Sequence, residues 1–181
     1  PVYNVDGCLN RQNTSRVNQD GPEMFGFRAN SRNLDLNRDF IKCDTRNAAS
    51  FNQVFTKWQP DVFIDNHTSN GADYQYTMTC IATQPTKLAP QLADYQQNNL
   101  LPQLYEAMKT ADFEMTPYVS FEGIPDKGII GFMDNPRYST GYAAVHHALG
   151  FMPETHMLKP FPARVRGTLA FSKSVFKICF D

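Results

Sequence analysis

The stretch from Asp44 to His67 constrains the fold more than any other. In DTRNAASFNQVFTKWQ, the residues Ala48, Phe51, Val54, Phe55 and Trp58 fall at helical spacing behind Asp44, a candidate N-cap. Pro60 stops that helix, and DVFIDNH follows as a short, nearly continuous apolar run of the kind found in central parallel strands. YQYTMTCIAT, rich in β-branched and aromatic residues, reads as another strand, and FMPETHM as the last one. Between them, Lys87 to Thr110 carries Leu88, Leu92, Leu100, Leu104 and Met108 near the 3.6-residue period, which predicts a long helix that Pro102 could kink. Residues 116–140 hold Gly123, Gly128, Gly131 and Pro136 and read as loops or short strands. YAAVHHALG predicts a short helix ended by Gly150, and Phe161 to Phe180 an amphipathic helix covering the sheet. Helix and strand alternate, so the expected class is α/β, with a mixed, mostly parallel sheet flanked by helices.

A length of 181 residues suits one domain spanning 1–181, and 41% hydrophobic with 19% charged residues describes a globular chain. A net charge of −1 without basic runs gives no electrostatic footprint of a nucleic-acid binder. No stretch approaches the roughly 18 apolar residues of a membrane span. Cys8, Cys43, Cys80 and Cys179 are widely spaced and form no C-x-x-C pair; two disulfides and four free thiols both remain open. Pro1 to Val5 reads as the end of a buried strand entering a turn at Asp6-Gly7, an abrupt start that suggests a missing N-terminal portion.

Chemistry-bearing residues gather where these segments end. DVFIDNH delivers His67 just past an apolar strand, at the edge where open α/β sheets collect their ligand sites. Asp65 lies on the same face and is placed to orient the imidazole. The plainer alternative is a His that caps the strand, since a metal needs three or four ligands. FMPETHM sets Glu154 in a hydrophobic strand, where an unpartnered carboxylate is costly. Such a group has a partner or a raised pKa, and a raised pKa suits a general base near neutrality. His156 faces the same way, which leaves a Glu–His metal pair as an alternative. In NLDLNRDF, Asn33 to Phe40, alternation puts Leu34 and Leu36 on one face of an expected strand that ends on Asn37-Arg38-Asp39. Asn37 and Arg38 offer amide and guanidinium donors to a carboxylate, unless they are only a solvated strand end. Arg28 could polarise a carbonyl oxygen or pair with a carboxylate, with Arg32 as a solvated neighbour. Tyr138, in NPRYSTGY, could swing a phenol over a substrate or simply pack its ring.

Taken in order, NVDG, FRANSRNLDLNRDF, DNHTS, PRYSTGY and PETHM resemble the zinc carboxypeptidases of the carboxypeptidase A/B type, especially their bacterial branch. The resemblance runs from Asn4 to about Met157, with Val5 where that family's Asn-Pro-Asp-Gly turn has proline. It implies a zinc-dependent metallocarboxypeptidase acting on a peptide with a free C-terminal carboxylate. Glu154 would be its catalytic base, Arg28 would polarise the scissile carbonyl, and His67 would be a zinc ligand. Asn37 and Arg38 would grip the substrate carboxylate beside Tyr138, with Asp39 holding Arg38. The loop before the last strand is shorter here than in the animal enzymes.

One departure stands out. The family takes two further zinc ligands from a His-x-x-Glu motif upstream of the Asn-Pro-Asp-Gly turn, and these 181 residues contain none. His146, His147 and His156 lie in the wrong part of the chain to replace it. The resemblance therefore implies the C-terminal portion of a catalytic domain, without the first strands of its sheet, binding little zinc and inactive alone. Tyr142 to Val145 would lie near the pocket floor, and the absence of an acid there argues against basic C-terminal residues. Alternatives are a cell-wall peptide amidase or amidoacid deacylase of similar architecture, or a metal-free, non-catalytic binding relative. Relatives are often exported, to the periplasm or beyond; compartment and oligomeric state stay open.

Overall fold

Val62, Phe63 and Ile64 alternate between two cores, and that alternation explains the architecture. The computed structural model describes residues 2–16, 18–69 and 73–180; Pro1, the start of the expected first strand, lies outside them. Strand β1 (Val62–Ile64) pairs in parallel with β7 (Leu149–His156), and β2 (His67–Ser69) continues along the same partner, also in parallel. On its other side β7 pairs antiparallel with β3 (Met78–Ala82), which pairs in parallel with β4 (Met115–Pro117). The sheet order is β1-β7-β3-β4, and β5 (Val119–Ser120) and β6 (Ile130–Gly131) form a separate antiparallel pair. Three of the four pairings in the larger sheet are parallel, so that sheet is mixed and mostly parallel, as expected.

Each face is covered by helices, which is why the strands read as continuous apolar runs. On one face Val62 and Ile64 pack with Met78, Phe151, Leu104, Met108, Phe171 and Val175. These come from the sheet, from helix α4 (Leu101–Thr110) and from helix α6 (Phe161–Phe180). On the other, Phe63 joins Phe40, Phe55, Tyr142 and Ala148 beneath helix α2 (Arg46–Trp58) and helix α5 (Ser139–Val145). The Phe55 ring meets Phe63 edge-on at 5.4 Å and Tyr142 at 5.1 Å, geometries that add to plain burial.

Several elements differ from the sequence reading. Asn4 to Gly7 do not finish a strand: Asn4 caps a short helix α1 (Val5–Leu9) by accepting the Gly7 N–H at 3.0 Å. Thr45, rather than Asp44, caps α2, its hydroxyl accepting the Ala48 N–H at 3.0 Å. The long helix is interrupted: α3 (Pro90–Tyr95) passes through a π-helical segment, Gln96–Leu100, before α4. Pro102 donates no N–H and would collide with a carbonyl four residues back, so the wider turn just before it relieves both conflicts. Gly150 is not a helix cap; α5 ends at Val145, and Gly150 lies inside β7, where a Cβ would sit 2.8 Å from Thr140 Cα. All four cysteines are free thiols, with Cys80 buried and the others exposed. Among the described residues no helix is long and apolar enough to cross a membrane.

Candidate active site

The parallel ladder between β2 and β7 sets His67 directly opposite Glu154. The imidazole Nε2–H donates to Asp65 Oδ2 at 2.8 Å, and Nδ1 stands 3.5 Å from Glu154 Oε1. The side chains of Glu154 and His67 are only 10% and 19% exposed, and Glu154 Oε2 has no hydrogen-bond partner among the described residues. Burial pushes the Glu154 carboxyl up to about 7; His67 and Arg28 oppose the rise and Asp65 adds to it. For His67, burial works against the imidazolium, but the charge and hydrogen bond of Asp65, with Glu154 behind them, outweigh it and raise its pKa. A buried carboxyl that titrates near neutrality beside an imidazole can exchange a proton with water at ordinary pH. His156 is not part of this pair: its Nδ1 accepts the Leu158 N–H at 3.0 Å and its ring packs against Tyr74.

Arg28 is held by its backbone and its head group separately. The Asn4 amide donates to the carbonyls of Phe27, Arg28 and Ala29 at 3.3, 2.9 and 3.3 Å. Gly7 O accepts the Phe27 N–H at 2.9 Å, and a Cβ on Gly7 would strike the Phe27 carbonyl. NVDG is thus a clasp for the segment that carries Arg28. The guanidinium donates from both Nε and a terminal nitrogen to Asp35 Oδ2, at 3.1 and 2.9 Å. Half-buried Arg16, which the sequence reading did not single out, stands near the same pair: burial lowers its pKa, Arg28 lowers it further and Asp35 opposes both.

NLDLNRDF is not a strand. Asn30 Oδ1 accepts the N–H groups of Arg32 and Leu34, both at 3.0 Å, and Asp35 Oδ1 accepts that of Asn37 at 3.0 Å. These local bonds divert the backbone from a ladder into a 3-10 turn, Leu36–Arg38. Leu36 is buried while Leu34 is 45% exposed, so the two leucines do not share a face. Asp35 thereby holds Arg28 with one oxygen and the Asn37-Arg38 turn with the other. Asp39 does not hold Arg38: its carboxylate accepts the N–H groups of Asp44 and Thr45 and the Thr45 hydroxyl, at 2.9, 3.0 and 2.7 Å. The Arg38 guanidinium donates to the Asn37 carbonyl at 2.9 Å and lies 4.9 Å from the centre of the Tyr138 ring. Asn37 Oδ1 is buried with no partner among the described residues.

Two aromatic residues missed in the sequence close the arrangement. Tyr138 meets Phe132 edge-on at 4.9 Å, and Phe132 meets Tyr118 at 6.3 Å. Burial raises the Tyr118 pKa, with the Glu154 charge next, so this phenol stands near the carboxyl. Contacts therefore run from Tyr118 by Phe132 and Tyr138 to Arg38, and on through Asn37 and Asp35 to Arg28; the charge of Glu154 acts on Tyr118 at one end, and that of Arg28 acts on Glu154 at the other. Tyr118 and Phe132 lie in a Gly- and Pro-rich stretch with no periodic signal to mark them. The expected pocket floor does not take shape at Tyr142 and Ala143, both fully buried; the Tyr142 hydroxyl donates to Asn52 at 2.6 Å within the aromatic core.

The described residues do not complete a zinc site. Zinc takes three or four protein ligands, and His67 is one imidazole with Asp65 and Glu154 already at its two nitrogens. Among the described residues no group of three or more His, Cys, Asp or Glu side chains could hold a metal ion. No family model and no curated protein matches the sequence. Solved structures do match: a metallo-carboxypeptidase from Burkholderia cenocepacia superposes with a TM-score of 0.60 at 15% identity, over 83% of this chain and 40% of that one. The fold is carboxypeptidase-like. A metallo-carboxypeptidase from Pseudomonas aeruginosa, solved in complex with (2-guanidinoethylmercapto)succinic acid, gives 0.58 at 15% identity, over 86% of this chain and 41% of that one. The chain thus spans about two-fifths of the length of these two structures.

Proposed function

We propose that this chain supplies the proton-transfer and carboxylate-binding part of a metallocarboxypeptidase catalytic domain, and that the remaining ligands of its zinc lie outside these 181 residues. The supporting observation is the pairing of buried Glu154 with His67 at 3.5 Å, with the charge of Arg28 acting on both and Arg28 joined through Asp35 to the Asn37-Arg38 turn that rests on Tyr138. Glu154, its carboxyl held near neutrality by burial, takes a proton from the attacking water and returns it to the leaving amine. Arg28, moored by Asp35, faces the oxygen on which negative charge develops. Asn37 and Arg38 donate to the substrate's terminal carboxylate; a substrate lacking it would leave those half-buried donors without that partner. One structural neighbour was solved with a succinic acid derivative, a molecule bearing the group this clamp would take.

The test uses the protein translated from the whole reading frame. It should release a C-terminal residue from a peptide, stop with chelator, and leave the C-terminally amidated peptide intact. The 181-residue chain alone should bind little zinc and cleave nothing. The lack of a three-donor cluster among the described residues favours a second reading, a non-catalytic carboxylate-binding module. That reading is correct if the whole translated protein binds N-acetyl-L-phenylalanine in preference to its amide yet hydrolyses no peptide with zinc present.

A further inference from the structure

Phe132 and Tyr138 belong to a loop whose one fully buried charge, Asp134, has no part in the chemistry above. A buried carboxylate costs several kcal/mol unless it is paired. Asp134 is paired: Lys87 Nζ donates to its Oδ1 at 2.6 Å and also to its carbonyl, and the Gln84 N–H donates to Oδ2 at 3.1 Å. The Gln84 side-chain amide holds the Phe132 carbonyl at 3.3 Å, and the Thr83 hydroxyl holds that of Thr140 at 3.0 Å. These grips from the end of β3 fall on both sides of Tyr138. At Gly141 a Cβ would strike the carbonyls of Asp134 and Asn135, so the loop lies flat against the start of α5. An ion pair of this kind adds little stability over apolar packing of the same volume. What it can do is fix one arrangement of the loop.

We propose that the Lys87–Asp134 ion pair is a positioning device for the carboxylate clamp. It holds the Phe132–Tyr138 wall in place, and with it the ring against which the Arg38 guanidinium rests. Neither residue touches substrate; both act through Tyr138. The proposal rests on the reading of Asn37 and Arg38 as the clamp, so its test carries one readout that does not depend on that reading.

In the 181-residue chain labelled with ring-13C tyrosine, Asp134→Asn should shift and broaden the Tyr138 ring signals while those of exposed Tyr95 stay unchanged. The preference for N-acetyl-L-phenylalanine over its amide should fall about tenfold, the scale of coupling through packed side chains. Lys87→Met should act alike and Lys87→Arg should restore most of the preference. If Asp134→Asn does not fold, Lys87→Met with Asp134→Leu removes both charges without leaving one unpaired and gives the same readouts. Unchanged Tyr138 signals in a folded variant would overturn the proposal. If Arg38→Met leaves acid binding untouched, the clamp reading fails, and the Tyr138 signals still decide whether the Lys87–Asp134 pair positions the loop.

Discussion

The two halves of the candidate site are built by different means. His67 and Glu154 are fixed by a strand ladder and sit at 19% and 10% side-chain exposure. Asn37, Arg38 and Tyr138 are carried by a 3-10 turn and a loop, held by side chains that capture backbone groups, and the Arg28–Asp35 pair beside them is 45% and 33% exposed. Burial is what brings a carboxyl toward neutrality, and only a rigid ladder keeps such a group from turning out to water. A clamp for a free anion needs the reverse, donors that face solvent until the ligand arrives. The difference suits the two tasks proposed for them.

That contrast can be broken or sharpened by mutation. In the protein from the whole reading frame, Glu154→Gln should cut turnover by roughly 10²–10⁴-fold, the contribution typical of a positioned general base. Arg38→Met should instead act mainly on KM; equal effects of both variants on turnover would erase the distinction between the halves. Next in size is a pH effect on folding of the 181-residue chain. The folded Glu154 carboxyl, at about 7 against an ordinary 4.5, binds its proton more tightly than the unfolded chain does. Its stabilisation is therefore present below about pH 4.5 and lost as pH rises through 7, by at most about 3 kcal/mol. The raised pKa of His67 works in the same direction. Urea titrations across that range should show the loss, and Glu154→Gln should reduce it, leaving the part that His67 owes to Asp65. Asp39→Ala should destabilise by about 1–3 kcal/mol, because three donors including the Thr45 cap lose their acceptor. Asp35→Asn should cost under about 1 kcal/mol of stability, as exposed ion pairs do, while weakening binding of the acid over its amide.

The same contrast explains what could be read from the sequence. DVFIDNH and FMPETHM show their strands because each sends apolar side chains to both faces of the sheet, and a carboxylate inside the fully buried run announces itself. NLDLNRDF misled because alternation is shared by strands and by turns whose polar residues bond their own backbone. Asp35, placed two residues before the N–H that it captures, carried that signal in its spacing. Tyr118, Phe132 and the Lys87–Asp134 pair had none, because long-range contacts between residues far apart in the chain leave no local pattern.

Everything turns on whether residue 154 is a carboxylic acid kept dry next to an imidazole. Carbon-13 labelling of glutamate side chains, with Glu154→Gln to assign the signal, allows its ionisation to be followed directly in the 181-residue chain. A midpoint near pH 7 is the predicted result. A midpoint near 4.5, that of a solvated glutamate, would mean the strand pair does not form as described and would leave the chain without a base.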